Sequence, residues 1–153
     1  MKKNTIVIDA SCLVHFQDKE PEAIQFKRLI RDNWDARCTE LAILETLYIL
    51  CREYGWEEAQ KKVKALRESN TIRIEPINFY GDIAAKIKCE RAIALPDCLT
   101  IALAEYLKSH AVFAHREKEL ALALQQRPFN IEIVFLDEIV AKMKNTASNE
   151  NVF

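Results

Sequence analysis

Short β-branched runs alternate with longer helix-like segments along nearly the whole chain, and this alternation is the strongest constraint on its fold. The pattern predicts strands over residues 5–10, 71–77, 111–114 and 130–137. It predicts helices over residues 21–34, 39–55, 57–69, 82–92, 96–109 and 117–126, and a final helix from about residue 138. Strands separated by helices form parallel sheets with helices on both faces. The chain is therefore predicted to be an α/β domain with a central, mainly parallel sheet.

Glycine is nearly absent, which excludes two large classes of nucleotide-binding site. The chain has only Gly55 and Gly81 among its 153 residues, whereas dinucleotide-binding and P-loop motifs require several glycines close together. The formal net charge is −1, so a nucleic-acid partner would have to meet a local basic patch. Basic residues cluster on three predicted helices, a pattern more often found on solvated helix faces: Lys27, Arg28 and Arg31; Lys61, Lys62 and Lys64; Lys86, Lys88 and Arg91.

The cysteines and the two ends of the chain favour a cytoplasmic protein. None of the five cysteines forms a C-x-x-C pair, and buried free thiols in a reducing compartment are the expectation. The N-terminal apolar run is interrupted by Asp9 and lacks a cleavage site, and no uncharged stretch reaches the roughly 18 residues that span a bilayer. The polar residues 145–153 are predicted to form a disordered tail.

Three carboxylates stand alone in apolar surroundings. Asp9, Glu45 and Asp97 are each the only fully charged side chain in an apolar run of eleven residues or more. Asp9 follows the first predicted strand, and ligands of parallel α/β sheets bind beyond the carboxyl ends of the strands. Glu45 and Asp97 lie on predicted helices whose composition indicates burial.

Each of these acids has a structural explanation when it is considered alone. Asp9 fits a helix N-cap, Glu45 fits a buried ion pair, and Asp97 beside Pro96 fits the first turn of a helix. Together they require compensation, because burying an unpaired carboxylate costs several kcal/mol and no lysine or arginine lies in the three runs. Either their pKa values are raised or they converge on a cation. Carboxylate oxygens suit Mg²⁺ or Mn²⁺, and such sites serve phosphoryl chemistry.

The order of these motifs resembles a known family. The segments "IVIDASCLV", "TELAILETLYIL" and "LPDCLTIALAE", followed by a short strand with acids after it, resemble the PIN-domain nucleases. The resemblance is closest to small microbial members, including the VapC-like toxin ribonucleases of VapBC toxin–antitoxin modules. It implies a single domain over residues 1–144, folded as a three-layer α/β/α sandwich with a sheet of four or five strands. It also implies an acidic pocket that holds Mg²⁺ or Mn²⁺ at the strand carboxyl ends.

Carried over by position, the resemblance assigns both metal binding and catalysis to Asp9, Glu45 and Asp97. Ser11 matches a small hydroxyl residue that often follows the first acid, which would place it near the substrate. The same residue is equally well explained as an N-cap or turn residue.

The chain departs from the family at the last acid. The family usually has Thr-x-Asp after the strand at 111–114, whereas this chain has Ala114 and Arg116 at those positions. We expect Glu117, the next residue, to act as a peripheral fourth acid and Arg116 to contact a substrate phosphate. Glu119 is the alternative, although a solvated acid on an amphipathic helix explains it better.

The resemblance implies an Mg²⁺- or Mn²⁺-dependent endoribonuclease that hydrolyses RNA phosphodiester bonds, with an antitoxin protein as a partner and a homodimer as its assembly. The altered fourth position keeps an alternative open, namely a weak or inactive PIN-like domain that binds RNA or protein. Haloacid-dehalogenase-like phosphatases also begin with an aspartate after the first strand. They need a second aspartate two residues later, where this chain has Ser11.

Overall fold

The computed structural model describes residues 2–146 and contains a five-stranded sheet with the order β3-β2-β1-β4-β5. Every neighbouring pair of strands is parallel. The strands are β1 Asn4–Ile8, β2 Trp34–Thr39, β3 Ile72–Glu75, β4 His110–Phe113 and β5 Ile133–Phe135. Because all five run the same way, their carboxyl ends share one edge of the sheet, and their amino ends share the opposite edge.

Helices connect successive strands and cover both faces of the sheet. They are α1 Ala10–His15, α2 Pro21–Asn33, α3 Glu40–Tyr54, α4 Trp56–Glu68, α5 Gly81–Glu90, α6 Leu95–Leu107, α7 Lys118–Gln126 and α8 Leu136–Thr146. A single 3₁₀ turn, Ile77–Phe79, follows β3. The seven helices predicted from the sequence are confirmed, with ends that differ by one or two residues. The predicted first strand is too long, because β1 ends at Ile8 and α1 begins two residues later.

The interior strand β2, which lies between β3 and β1, is absent from the sequence prediction. Its six residues, Trp34–Thr39, alternate between charged side chains at Asp35 and Arg37 and buried small ones at Ala36 and Cys38. The segment contains no apolar run, and its two ends fit the flanking helix patterns. Pairing with β1 and β3 therefore decides its conformation more than local sequence does.

Two apolar cores, one on each face, confirm the predicted three-layer sandwich. Successive side chains of a strand point to opposite faces. Accordingly Ile6 and Ile8 belong to one core, which packs against α1, α2, α3, α4 and α8. Val7 belongs to the other core, which is formed with α5, α6 and α7.

Two residues delimit α3, the helix that carries Glu45. The Thr39 hydroxyl accepts a hydrogen bond from the backbone N–H of Ala42 at 2.9 Å and caps the start of the helix. Gly55 ends the helix with φ at +85°, a conformation that side-chain-bearing residues rarely adopt. Both boundaries agree with the sequence prediction.

The C-terminal helix α8 ends at Thr146, so Asn145 and Thr146 continue the helix instead of belonging to the predicted tail. The rest of that tail, residues 147–153, lies outside the described residues. Within residues 2–146, no helix is both long enough and apolar enough to cross a membrane.

Candidate active site

Asp9 lies at the carboxyl end of β1 and is buried, with an exposed fraction of 6%. Its Oδ2 accepts hydrogen bonds from the backbone N–H of Ser11 at 3.0 Å and from the Ser11 hydroxyl at 2.8 Å. Its Oδ1 accepts a third from the hydroxyl of Thr100 at 2.9 Å. Asp9 is therefore the N-cap of α1 and also a fully oriented acceptor at the sheet edge.

Ser11 links two strand ends around this carboxylate. Its hydroxyl donates to Asp9 and accepts a hydrogen bond from the backbone N–H of Ala114 at 3.0 Å. Ala114 directly follows β4. Because both hydrogen-bonding roles of the hydroxyl are used within the protein, the structure places Ser11 beside the acid as a bridging residue.

Glu45 on α3 and Asp97 on α6 face the same region, and both are partly buried. Burial, followed by the negative charges of Asp9, Asp97 and Glu117, raises the pKa of Glu45 to about 7. Burial likewise raises the pKa of Asp97 to about 7, with contributions from Asp9, Glu117 and Glu119. The carboxylates that the sequence singled out thus sense one another across one site, although they come from three separate elements.

Glu117 and Glu119, at the start of α7, also act electrostatically on these acids. Glu117 is the N-cap residue of that helix and is exposed. The distance from its Oε1 to Nε2 of His115 is 3.5 Å. Its charge contributes to the raised pKa of both Glu45 and Asp97, whereas that of Glu119 contributes to Asp97. The role of Glu117 as a peripheral fourth acid stays a prediction.

Arg116 forms an ion pair with Glu138. Its Nε lies 2.9 Å from Oε1 of Glu138 and its Nη2 lies 3.3 Å from Oε2, a two-point contact between guanidinium and carboxylate. The guanidinium also sits 4.3 Å from the ring centre of Phe135. The hydrogen bond to Glu138 raises the pKa of Arg116. Contact with a substrate phosphate, which stays a prediction, would have to compete with this pair.

Thr100 is the site residue that sequence reasoning missed. It is buried, and it lies one helical turn after Asp97 on the same side of α6. The available signal was that Thr100 is the only hydroxyl residue in the apolar stretch 98–104. A hydroxyl in such a place needs a hydrogen-bond partner, and here the partner is Asp9, 91 residues away along the chain.

The donor set fits a hard divalent cation by its chemistry. The acids supply carboxylate oxygens, the ligands that Mg²⁺ and Mn²⁺ favour. Within residues 2–146, no group of three or more histidine, cysteine, aspartate or glutamate side chains is placed so that it could hold a metal ion as it stands. Asp9, Glu45 and Asp97 would hold the ion, and their carboxylates would have to move closer together to do so.

Comparison with known proteins gives one match to a protein-family model. Residues 6–123 match the family model described as PIN domain. No curated protein matches the chain significantly.

Several solved structures share the fold. VapBC from Salmonella typhimurium, bound to DNA, superposes with a TM-score of 0.62 at 13% identity and covers 87% of this chain and 98% of that chain. VapBC2 from Rickettsia felis, bound to a promoter DNA fragment, gives 0.61 at 15% identity over 84% of this chain and 96% of that chain. VapC20 from Mycobacterium tuberculosis, described as a sarcin–ricin loop cleaving toxin, gives 0.58 at 17% identity over 77% and 94%. At these identities the likeness establishes the fold.

Proposed function

The chain belongs to the PIN domain family, whose members are generally nucleases, and on that premise we propose that it is an Mg²⁺- or Mn²⁺-dependent endoribonuclease. The observation that best supports the proposal is that the charges of Asp9 and Glu117 act on both Glu45 and Asp97. Mutual repulsion helps to raise the pKa of both Glu45 and Asp97 to about 7. Such perturbation is typical of functional sites.

Each residue has a distinct role in this proposal. Asp9 would hold the ion with an oriented carboxylate, because Ser11 and Thr100 already bind its two oxygens. Glu45 and Asp97 would be the further ligands, and Glu117 would act from the periphery. When bound, a divalent cation would lower the pKa of a water molecule and offset charge on the phosphate. Because protons compete for Glu45 and Asp97 near neutral pH, metal binding is expected to release protons.

Cleavage of an end-labelled RNA in Mn²⁺ or Mg²⁺ tests this function. Attack by water at phosphorus leaves a 5′-phosphate and a 3′-hydroxyl, and EDTA abolishes cleavage. Loss of a residue that only supports a metal ligand typically slows a metal enzyme by about 10–100-fold. Because Asp97 would bind the metal directly, Asp97→Asn should reduce the cleavage rate by more than this. Glu132→Gln removes a 69% exposed acid at the other end of the sheet and should leave the rate unchanged. Products with 2′,3′-cyclic phosphate ends, or cleavage that persists in EDTA, would contradict the proposal.

We also propose that the protein is the toxin of a toxin–antitoxin module and acts in the cytoplasm, with an antitoxin protein as its partner and a homodimer as its assembly. Support comes from the neighbouring structures, two of which are VapBC complexes. On α3, Leu44 and Tyr48 flank Glu45 with exposed fractions of 54% and 45%, an apolar surface suited to a protein partner. Light scattering of the purified chain tests the dimer, and co-purification with the product of an adjacent small reading frame tests the antitoxin.

A second candidate is a PIN-like domain that binds RNA or protein without cleaving it. The observation that favours it is Arg116, which occupies the place of the family's last acid and is paired with Glu138. Retained RNA binding with no cleavage in either metal would select this candidate.

A further inference from the structure

We propose that the amino edge of the sheet, opposite the acids, forms a second contact surface for single-stranded RNA. The identity of the polyanion rests on the proposed ribonuclease function. The surface, called here the amino-edge cleft, has a volume of about 590 Å³. Its lining includes five basic residues, one tryptophan and one acid, namely Lys2, Lys3, Arg31, Arg37, Arg73, Trp34 and Asp35.

The cleft is formed by the starts of three neighbouring strands. Lys2 and Lys3 precede β1, Trp34 opens β2, and Arg73 lies near the start of β3. Asp9 lies just past the other end of the five-residue β1, six residues after Lys3 and so about 20 Å from it at roughly 3.3 Å per residue. The cleft is therefore separate from the acid site but lies on the same molecule, as a contact for a distant part of one polymer should.

The charges of the cleft are only partly balanced by the protein. Arg37 is bound by Asp35 and by Glu75, and Arg31 pairs with the adjacent Asp32. These pairs hold the cleft together and leave little charge to offer a ligand.

Three other cations provide the excess. Lys2 is exposed, and Lys3 donates its Nζ to the backbone carbonyl of Arg31 at 2.7 Å, while its charge also acts on Asp32. Arg73 is 69% exposed and only loosely placed, 3.9 Å from Asp35. In a chain whose net charge is −1, this local excess is suited to an anion.

A second groove of about 760 Å³ continues from the cleft along the open edge of β3, where Arg67 joins the shared Arg37 and Arg73 beside one acid, Glu75. The basic surface is thus elongated, which favours an extended polyanion over a single phosphate ion.

Trp34 narrows the choice of polyanion. Its side chain packs partly against the core and also lines the cleft. A basic groove that presents an aromatic face is the usual arrangement for single-stranded nucleic acid, because cations follow the phosphates while a base stacks on the ring. Polar groups of the turn at Ser69, Asn70 and Thr71 border the same cleft and can accept or donate hydrogen bonds to sugar and phosphate oxygens.

Trp34 also provides a reporter. The chain has two tryptophans, so Trp56→Phe leaves Trp34 as the only one. A 15-nucleotide oligouridylate, titrated in EDTA to prevent cleavage, should quench the Trp34 fluorescence with saturation. The double variant Lys2→Gln/Arg73→Gln should weaken binding about tenfold or more at low salt. It should also reduce the slope of log K against log salt by about 1.4, since each single-strand phosphate contact contributes roughly 0.7.

A matched control removes two charges elsewhere. Lys64 and Lys86 are 74% and 78% exposed and lie outside the cleft, so Lys64→Gln/Lys86→Gln should leave the affinity within about twofold of the parent. Equal losses in both double variants would show non-specific attraction and overturn the proposal. A polyglutamate peptide of the same charge that quenches as strongly would also overturn it, in favour of an acidic protein partner.

The outcome separates this inference from the proposed function. Asp97→Asn should abolish cleavage and leave the Trp34 quenching intact. Cleavage by a protein whose Trp34 is not quenched by RNA would reject the cleft and keep the nuclease. Quenching without cleavage in either metal would reject the nuclease and keep the cleft as an RNA contact.

Discussion

The sequence offers two explanations for Asp9, a helix N-cap and a member of an acidic site, and the structure is compatible with both. Its Oδ2 caps α1 through the backbone of Ser11, and its Oδ1 is bound by Thr100 from the opposite layer. Capping a helix and belonging to an acidic site therefore do not exclude each other here. The cap instead orients the carboxylate, and Thr100 restricts rotation about its last torsion. An isolated acid at the end of a strand can therefore be both a helix cap and a site residue.

Thr100→Val tests this orientation, because valine keeps the shape of threonine and removes the hydroxyl. We expect the free energy of unfolding to fall by about 1–3 kcal/mol, since a buried carboxylate oxygen loses its donor. Cleavage should fall as well, because Asp9 gains rotational freedom. Urea denaturation and the RNA cleavage rate provide the two measurements. Thr100→Ser keeps the hydroxyl and serves as the control, and a serine variant that loses as much activity as the valine variant would rule out the hydrogen bond as the cause.

The raised pKa values of Glu45 and Asp97 predict how stability depends on pH without metal. In the folded protein both pKa values are about 7, against ordinary values of 4.5 and 3.8. Between about pH 4 and pH 7 the folded state therefore binds more protons than the unfolded state. The stability that these groups contribute is fully present at the acid end of this window and is lost as pH rises through 7.

Asp97→Asn should flatten this dependence. It removes a desolvated charge and its repulsion with Asp9, so we expect a gain of about 1–3 kcal/mol at pH 8 in EDTA and little change at pH 4. Urea unfolding at the two pH values measures the difference. Glu132→Gln, at an exposed position, should retain the wild-type dependence. An Asp97→Asn protein that is equally unstable at pH 8 would show that Asp97 is not a repelled acid.

At the scale of elements, the start of α7 determines which acid replaces the family's last aspartate. Glu117 is the N-cap residue and has an extended backbone, whereas Glu119 lies inside the first turn. Two residues along a helix change the direction of a side chain by about 200°, so the two glutamates differ in their approach to Asp97. The register of the helix start, which the sequence does not specify to the residue, would therefore decide which of the two glutamates acts at the site.

We expect Glu117→Gln to slow cleavage less than Asp9→Asn does, because a peripheral acid would act on the ion through water. Glu119→Gln should be nearly silent. Initial rates at saturating Mn²⁺ compare the three variants, and each glutamine variant serves as the isosteric control for the other. An inactive Glu119→Gln beside an unaffected Glu117→Gln would reverse the assignment.

Local pattern predicted most elements correctly and failed where tertiary pairing decides the structure. The apolar runs around Asp9, Glu45 and Asp97 predicted buried elements, and in the structure Asp9 is buried and acts electrostatically on Glu45 and Asp97. The strand β2 was missed because its charged residues are accommodated by neighbours, such as Glu75 on β3 beside Arg37, that lie far away in sequence. The partnership of Arg116 with Glu138 was missed for the same reason.

At the scale of the whole molecule, the parallel sheet separates two kinds of chemistry. Its carboxyl edge gathers acids from β1, α3, α6 and α7. Its amino edge gathers cations from the starts of β1, β2 and β3. A formal net charge of −1 therefore conceals two regions of opposite sign. A polyanion would be repelled from the acids unless a cation were bound there, so the proposed metal serves binding as well as chemistry.

Metal binding should consequently stabilise the entire domain. The acids belong to elements from both layers, so an ion held by Asp9, Glu45 and Asp97 would tie the two faces together and relieve their repulsion. An ion that binds only the folded state at a concentration one hundred times its Kd contributes about 2.7 kcal/mol. For a domain of this size that energy corresponds to a rise in Tm of about 5–10 °C.

Thermal unfolding with and without millimolar Mn²⁺, followed by circular dichroism, measures this rise. Asp9→Asn should abolish most of it and, in EDTA, should leave a Tm close to or above that of the wild type, because one repelling charge is gone. Glu132→Gln should respond to Mn²⁺ as the wild type does, since its carboxylate lies at the other edge. If Mn²⁺ leaves the Tm of the wild type unchanged, or raises that of Asp9→Asn equally, the three acids do not share one ion. The raised pKa values would then reflect only burial and repulsion.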